Sequence, residues 1–72
     1  MNEYEKLANA IIILAVDDYR RALKVLKEDS HDPFAKKEKR SIEKFFRSEY
    51  FGILTKVDPE VLIKKLRKEV DG

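Results

Sequence analysis

Apolar positions along the chain follow a helical period in three segments, which are separated by polar and turn-forming residues. In the first segment, about residues 3–28, apolar side chains spread over roughly 200° of a helical wheel. The second segment runs from Pro33 to about Phe51, and the third begins near Pro59. No stretch shows the two-residue alternation of a half-buried strand. The pattern therefore predicts an all-α domain of three helices with a long first helix and short loops.

Capping residues support these boundaries. Asn2 can cap the first helix, and Glu5 follows three residues later as a capping-box partner. Pro33 and Pro59 each follow an aspartate, whose carboxylate can accept hydrogen bonds from the free N–H groups of a first turn. Gly52 would end the second helix, because glycine takes the left-handed conformation at little cost.

The first helix is both wide and long for a chain of this size. It would measure about 40 Å, against roughly 28 Å and 18 Å for the other two helices. Either it is central and flanked on two sides, or part of its apolar surface faces another chain. Because large apolar patches rarely stay exposed, we expect a homodimer.

Composition limits the class of protein. The 72 residues form one domain, residues 1–72, of which 43% are hydrophobic and 42% charged, and there is no cysteine to form a disulfide or ligate a metal. The longest apolar run, AIIILAV, is much shorter than the roughly 20 residues of a membrane span. The acidic start does not resemble an export signal. We expect a cytoplasmic protein without a membrane partner.

The charge distribution raises an alternative function. Residues 1–35 hold five basic and seven acidic residues, and residues 36–72 hold eleven basic and seven acidic ones, so the halves carry −2 and +4. Basic residues recur along one side of the second helix, where they could contact phosphate groups, although Glu43 interrupts them. Nucleic-acid binding is therefore an alternative, but not the favoured one. Its candidate contacts are Lys36, Arg40, Lys44, Arg47, Lys64 and Lys68.

No pattern of residues indicates catalysis. Glu28 and His31 have the Glu-x-x-His spacing of half a di-iron site, but His31 is the only histidine, so the second half is missing. No nucleophile–base pair or phosphate-binding loop is recognisable. We expect no enzymatic activity, no metal and no cofactor.

Two carboxylates fall on predicted apolar faces. Asp18 lies in the apolar arc of the first helix, and Glu49 lies among apolar residues if the second helix continues to Phe51. A buried carboxylate needs a partner, such as an arginine or the free N–H groups of a helix start. Asp18 either lies at an exposed part of the arc or pairs with Arg21, Arg47 or a tyrosine hydroxyl, and burial is possible for both Asp18 and Glu49. We interpret both as structural groups rather than as a catalytic pair.

Four aromatic residues lie between positions 45 and 51. Phe45 and Phe46 fall on the buried face of the second helix. Tyr50 and Phe51 either fold inward, which is the favoured interpretation, or stay outside with Arg47 as a protein contact. The second alternative is worth keeping because aromatic residues and arginine are enriched in interface hot spots.

Three segments, AVDDYRRAL at 15–23, FFRSEYF at 45–51 and LTKVDPEVLIKKL at 54–66, carry a family resemblance. Together they resemble a family of small, uncharacterised proteins encoded in prophages and mobile elements of Firmicutes. The resemblance implies a phage or mobile-element origin and a bacterial cytoplasm, and it brings no catalytic residue or cofactor. The resulting expectation is a non-enzymatic interaction protein that binds a host or phage protein.

Overall fold

The computed structural model describes residues 2–71, and that part of the chain is helical without strands. Its elements are α1 (Glu3–Glu28), α2 (Pro33–Phe46), α3 (Glu49–Leu54) and α4 (Pro59–Asp71). The predicted all-α class is confirmed, and so are the bounds of the first helix. The segment predicted as the second helix instead forms two helices, because the helical conformation is interrupted between α2 and α3.

Three of the helix starts are capped as the sequence predicts. Asn2, Asp32 and Asp58 each accept a hydrogen bond at 2.8–2.9 Å from a backbone N–H in the first turn of α1, α2 and α4, respectively. These bonds satisfy N–H groups that have no partner inside the helix. They join residues only two or three positions apart, which explains why they could be recognised in the sequence.

The break between α2 and α3 corrects the predicted second helix, which ends at Phe46 and not at Phe51. Ser48 is the cause: its Oγ donates to the carbonyl oxygen of Phe45 at 2.6 Å and accepts from the N–H of Phe51 at 3.2 Å. It therefore ends one helix and caps the next. Gly52 lies inside α3 and has no positive φ, so its predicted role as a helix end is wrong.

α1 is the central helix, and α2 and α4 flank it on two sides. α4 runs parallel to α1, since Arg20 pairs with Glu69 at 3.2 Å and the Nζ of Lys27 donates to the carbonyl oxygen of Val70 at 3.0 Å. The molecule measures 40 × 23 × 17 Å. Its long dimension matches the roughly 39 Å expected for the 26 residues of α1.

Aromatic rings from three elements form the centre of the core. Phe46 of α2 packs edge-on against Tyr19 of α1 and Phe51 of α3, with ring centroids 5.6 and 5.4 Å apart. Ile63 and Leu66 bring α4 onto the same cluster. Edge-to-face pairs add about 0.5–1.5 kcal/mol each to the gain from burial, so this cluster holds α3 as well as the longer helices in place.

Candidate functional site

A cluster of three polar side chains joins the three long helices. Tyr19 of α1 donates its hydroxyl hydrogen to Oε2 of Glu43 in α2. Arg67 of α4 donates from Nη2 to the same oxygen at 2.7 Å and from Nε to the Tyr19 hydroxyl at 3.3 Å. Glu43 is thus the shared acceptor of a cross-helix network, which we call the Tyr19–Glu43–Arg67 cluster.

The electrostatics of this cluster favour structure over acid–base chemistry. The Glu43 side chain is only 12% exposed, and this burial raises its pKa, but the hydrogen bonds from Tyr19 and Arg67 outweigh burial and lower the pKa overall. Burial, followed by the hydrogen bond to Glu43, raises the pKa of Tyr19 to about 12. At neutral pH the carboxylate is therefore charged and the phenol neutral, so neither is poised to exchange a proton.

A second ion pair connects the end of α2 with the start of α4. Arg47 donates to Glu60 from Nε at 2.7 Å and from Nη2 at 3.0 Å, a two-point geometry. This hydrogen bonding raises the pKa of Arg47 and lowers the pKa of Glu60. Arg47, a predicted contact residue, is solvent-exposed. Its guanidinium already forms an ion pair with the carboxylate of Glu60 in the same chain.

The structure separates the other two predicted contact residues. Phe51 is buried in the core, as the favoured interpretation predicts, so its alternative role as a protein contact is wrong. Tyr50 is exposed, which corrects the favoured inward position for this residue, although its ring lies 6.2 Å from that of Phe45. Ile53, which follows Tyr50 by one helical turn, is 81% exposed. Tyr50 and Ile53 together form what we call the α3 patch.

The sequence pattern does not predict the exposure of Ile53, and the reason can be identified. With one uninterrupted second helix, Ile53 would continue the buried face of Ile42 and Phe45. The break at Ser48 changes the direction in which the side chains of α3 point. Ile53 therefore faces outward and Phe51 faces the core. The signal was present in the sequence, because a serine followed by a glutamate is typical of a helix start.

Neither Asp18 nor Glu49 is buried, which corrects their possible burial, while the interpretation of Asp18 as a partly exposed structural group is confirmed. Asp18 is partly exposed and pairs with Arg21 at 3.3 Å, a partner that the sequence offered. Glu49 is exposed in the first turn of α3, where the helix dipole favours a negative charge. The acid that the fold does enclose is Glu43, which had been assigned to the exposed basic side of the second helix.

A stripe of apolar side chains runs along the first half of α1. Tyr4, Leu7, Ile11 and Leu14 are spaced by three, four and three residues, and we call them the α1 stripe. Leu7 and Leu14 are 63% and 65% exposed, and Tyr4 is exposed as well. No residue from 2 to 10 is buried. The first third of α1 therefore projects beyond the packed core.

The α1 stripe leads into a shallow groove between α1 and α2. The groove has a volume of about 300 Å³, and its lining is mainly apolar. Ile11 and Leu14 belong both to the stripe and to this lining, while Ile42 and Phe45 supply the α2 wall. The stripe and the groove thus form one continuous apolar surface on one side of the molecule.

The predicted basic residues fall on two sides of Glu43. Lys36 and Arg40 line a groove beside it, and Arg47 and Lys64 line a second groove with Arg67. The second groove therefore brings Arg47, at the end of α2, together with basic residues of α4. Two of these cations, Arg47 and Arg67, are engaged by carboxylates. Lys44 and Lys68 are also exposed.

Residues 2–71 contain neither a metal-ligand cluster nor a membrane-spanning helix. No group of three histidine, aspartate or glutamate side chains is arranged to hold a metal ion, and no helix is long and apolar enough to cross a membrane. Comparisons with protein families, with curated proteins and with solved structures give no match to this chain.

Proposed function

We propose that this chain is a small non-enzymatic interaction protein that binds a host or phage protein through the α3 patch. The observation that carries the proposal is the exposure of Tyr50 and Ile53 on a helix that is itself well anchored. Burying one large aliphatic side chain gains about 1.5–3 kcal/mol, so a partner that covered Ile53 would gain that much from this residue.

The anchoring of α3 matters because a fixed surface loses little entropy when it binds. Phe51 attaches the helix to the core, and Ser48 caps its start. Arg47 stands at the end of α2, three residues before Tyr50, and its guanidinium is oriented by Glu60. An aromatic residue, an aliphatic residue and an oriented arginine are a composition typical of interface cores.

The biological setting of this function is a second part of the proposal. The resemblance of three segments to proteins of prophages and mobile elements supports a phage or mobile-element origin and a bacterial cytoplasm. It also suggests where to look for the partner, which is among proteins of the bacterial host or of the phage.

An affinity capture from a lysate of the native host tests the proposed contact. The wild-type protein, the Tyr50→Ala/Ile53→Ala double variant and a Phe34→Ala control are immobilised, and the retained proteins are identified by mass spectrometry. Phe34 is a suitable control because it is an exposed aromatic residue at the opposite end of α2. We expect a protein that is retained by the wild type and the control but lost with the double variant.

The proposal is contradicted if all three immobilised proteins retain the same set of host proteins, because the α3 patch would then play no part in binding. If the double variant loses its helical circular dichroism, the milder Ile53→Ser variant decides the question in the same assay. That variant keeps Tyr50 and its ring contact with Phe45.

The second candidate function is nucleic-acid binding, which is favoured by the basic residues that line two surface grooves, one along α2 and one between the end of α2 and α4. Phosphate contacts release counterions, so the affinity would fall steeply with salt concentration. A salt titration with mixed DNA and RNA, repeated with the Lys36→Glu/Arg40→Glu variant, measures this directly. Absence of binding at low salt would exclude the function.

A further inference from the structure

The residues of the α1 stripe have the spacing of a helix–helix seam. Intervals of three, four and three residues alternate as the apolar positions do in the seven-residue repeat by which two helices pack along each other. A helix that only covers its own core has a broader apolar face with a period of 3.6 residues. α1 has such a face as well, formed around Tyr19, and the stripe is separate from it.

Within one chain, α2 is too short to cover the whole α1 stripe. α1 has 26 residues and α2 has 14, or about 39 and 21 Å of helix. α2 packs antiparallel to α1 from Ala22 towards Ile11, where Phe45 is its last contact in the groove. Tyr4 and Leu7 lie beyond that point and are exposed.

We propose that a second copy of this chain covers the α1 stripe, with the two α1 helices packed antiparallel. Each projecting N-terminal segment would lie against the α1–α2 groove of the other copy. The α1 and α2 helices of both copies would then form a four-helix bundle, with α3 and α4 outside it. A two-fold axis makes such an interface self-complementary, since each copy supplies both a projecting segment and a groove.

The charged residues that follow the α1 stripe in the chain favour the antiparallel orientation of the two α1 helices. The same three- and four-residue intervals continue from Leu14 to Asp18 and Arg21, which form an ion pair at 3.3 Å. A parallel, in-register pair of helices would place the two Asp18 carboxylates opposite each other, and like charges at such positions repel.

An antiparallel pair with its axis between Leu7 and Ile11 avoids this repulsion. Tyr4 then packs on the partner's Leu14, and Leu7 packs on the partner's Ile11. In this register the two Asp18 residues are about 27 Å apart along the helices, and the positions that face each other are all apolar.

Sedimentation equilibrium tests the association. We expect the mass to approach twice the 8.5 kDa of the chain as the concentration rises. Leu7→Glu and Leu14→Glu should each weaken the dimer by roughly 30-fold or more, the effect of removing an interface anchor. Ile13→Glu is the matched control, because Ile13 is 58% exposed on the same helix but points about 100° away from Leu14. It should leave the dimer intact.

Cross-linking tests the orientation, and the absence of cysteine from the chain provides a clean background. Tyr4→Cys and Leu14→Cys are prepared as separate variants and treated with a short bis-maleimide, alone and mixed. The antiparallel pair predicts cross-linked dimers mainly in the mixture. Efficient cross-linking of each variant to itself would instead show a parallel pair and overturn the proposed orientation.

These outcomes are separable from those of the proposed function, which concerns the α3 patch. A mass that stays at 8.5 kDa at every concentration overturns the proposed dimer. It does not affect the proposal that Tyr50 and Ile53 bind a host or phage protein. A dimer that survives both Leu7→Glu and Leu14→Glu also overturns it, because another surface would then hold the copies together. Helical circular dichroism of each variant confirms that the fold is retained.

Discussion

At the scale of single residues, Tyr19 has two roles that require different parts of its side chain. The ring packs against Phe46 in the core, where a phenylalanine would serve equally well. The hydroxyl donates to Glu43, which is almost enclosed and also bound by Arg67. If a largely buried carboxylate loses a hydrogen-bond donor, part of the cost of removing it from water is no longer compensated. The Tyr19 hydroxyl therefore contributes to the stability of the fold as well as to the specificity of its packing.

Replacement of Tyr19 by phenylalanine should therefore lower the free energy of unfolding by about 1.5–3 kcal/mol, as expected for a hydrogen bond to a charged group. Urea unfolding followed by circular dichroism measures the effect. Tyr50→Phe is the control, because Tyr50 is exposed and a surface change of this kind stays within about 0.5 kcal/mol. Equal effects of the two substitutions would show that the Tyr19 hydroxyl contributes nothing.

At the scale of the helices, the short α3 decides which aromatic residues are inside. The two bonds of Ser48 separate α3 from α2, and Phe51 then enters the core while Tyr50 and Ile53 face outward. Gly52 sits between these residues in helical conformation, and a Cβ atom at this position would meet nothing within 4 Å. Glycine is therefore not required at this position by either backbone or packing.

Gly52→Ala should raise the free energy of unfolding by about 0.5–1 kcal/mol, because alanine restricts the unfolded chain and favours helix. A thermal or urea unfolding curve tests this. The opposite result, a loss of stability, is expected if Gly52 were the left-handed residue that ends a helix, because a Cβ atom is strained there. The sign of the change therefore distinguishes the two placements of the helix boundary.

At the scale of the whole molecule, ion pairs attach α4 to the rest of the chain. Arg67 joins it to Glu43, and Arg20 joins it to α1 through Glu69. The exposed pairs contribute little individually, but the Tyr19–Glu43–Arg67 cluster is shielded and couples three helices. Protonation of this cluster should therefore affect the stability of the fold as a whole.

The pKa of Glu43 is lowered in the folded chain from its ordinary value of 4.5, so its contribution is present above that value and lost as the pH falls through the folded pKa. The pKa of Tyr19 is raised from 10.0 to about 12, so its contribution is complete below pH 10 and lost as the pH rises towards 12. Urea unfolding as a function of pH should show both losses.

Two variants assign these losses to their residues. Glu43→Gln should remove much of the acid dependence, and Tyr19→Phe should remove much of the alkaline dependence, each measured against the wild type at the same pH. If Glu43→Gln leaves the acid dependence unchanged, other carboxylates are responsible and the cluster does not couple protonation to folding.

The sequence by itself determined the all-α class and the helix boundaries that depend on local capping. Asn2, Asp32 and Asp58 could be recognised because each bonds to an N–H group two or three residues away, and such a bond depends on its neighbours in the chain alone. The burial of Phe46 followed from the apolar period of the second helix in the same way.

The tertiary structure alone decided which polar and apolar groups are enclosed. The local pattern places Glu43 on a solvated basic side, yet Tyr19 and Arg67, each 24 residues away in the chain, bind its carboxylate and leave the side chain 12% exposed. Asp18 and Glu49 stay accessible because no other helix covers them fully. Burial depends on which helices meet at a residue, and that is a property of the packed chain, which the local pattern of residues does not contain.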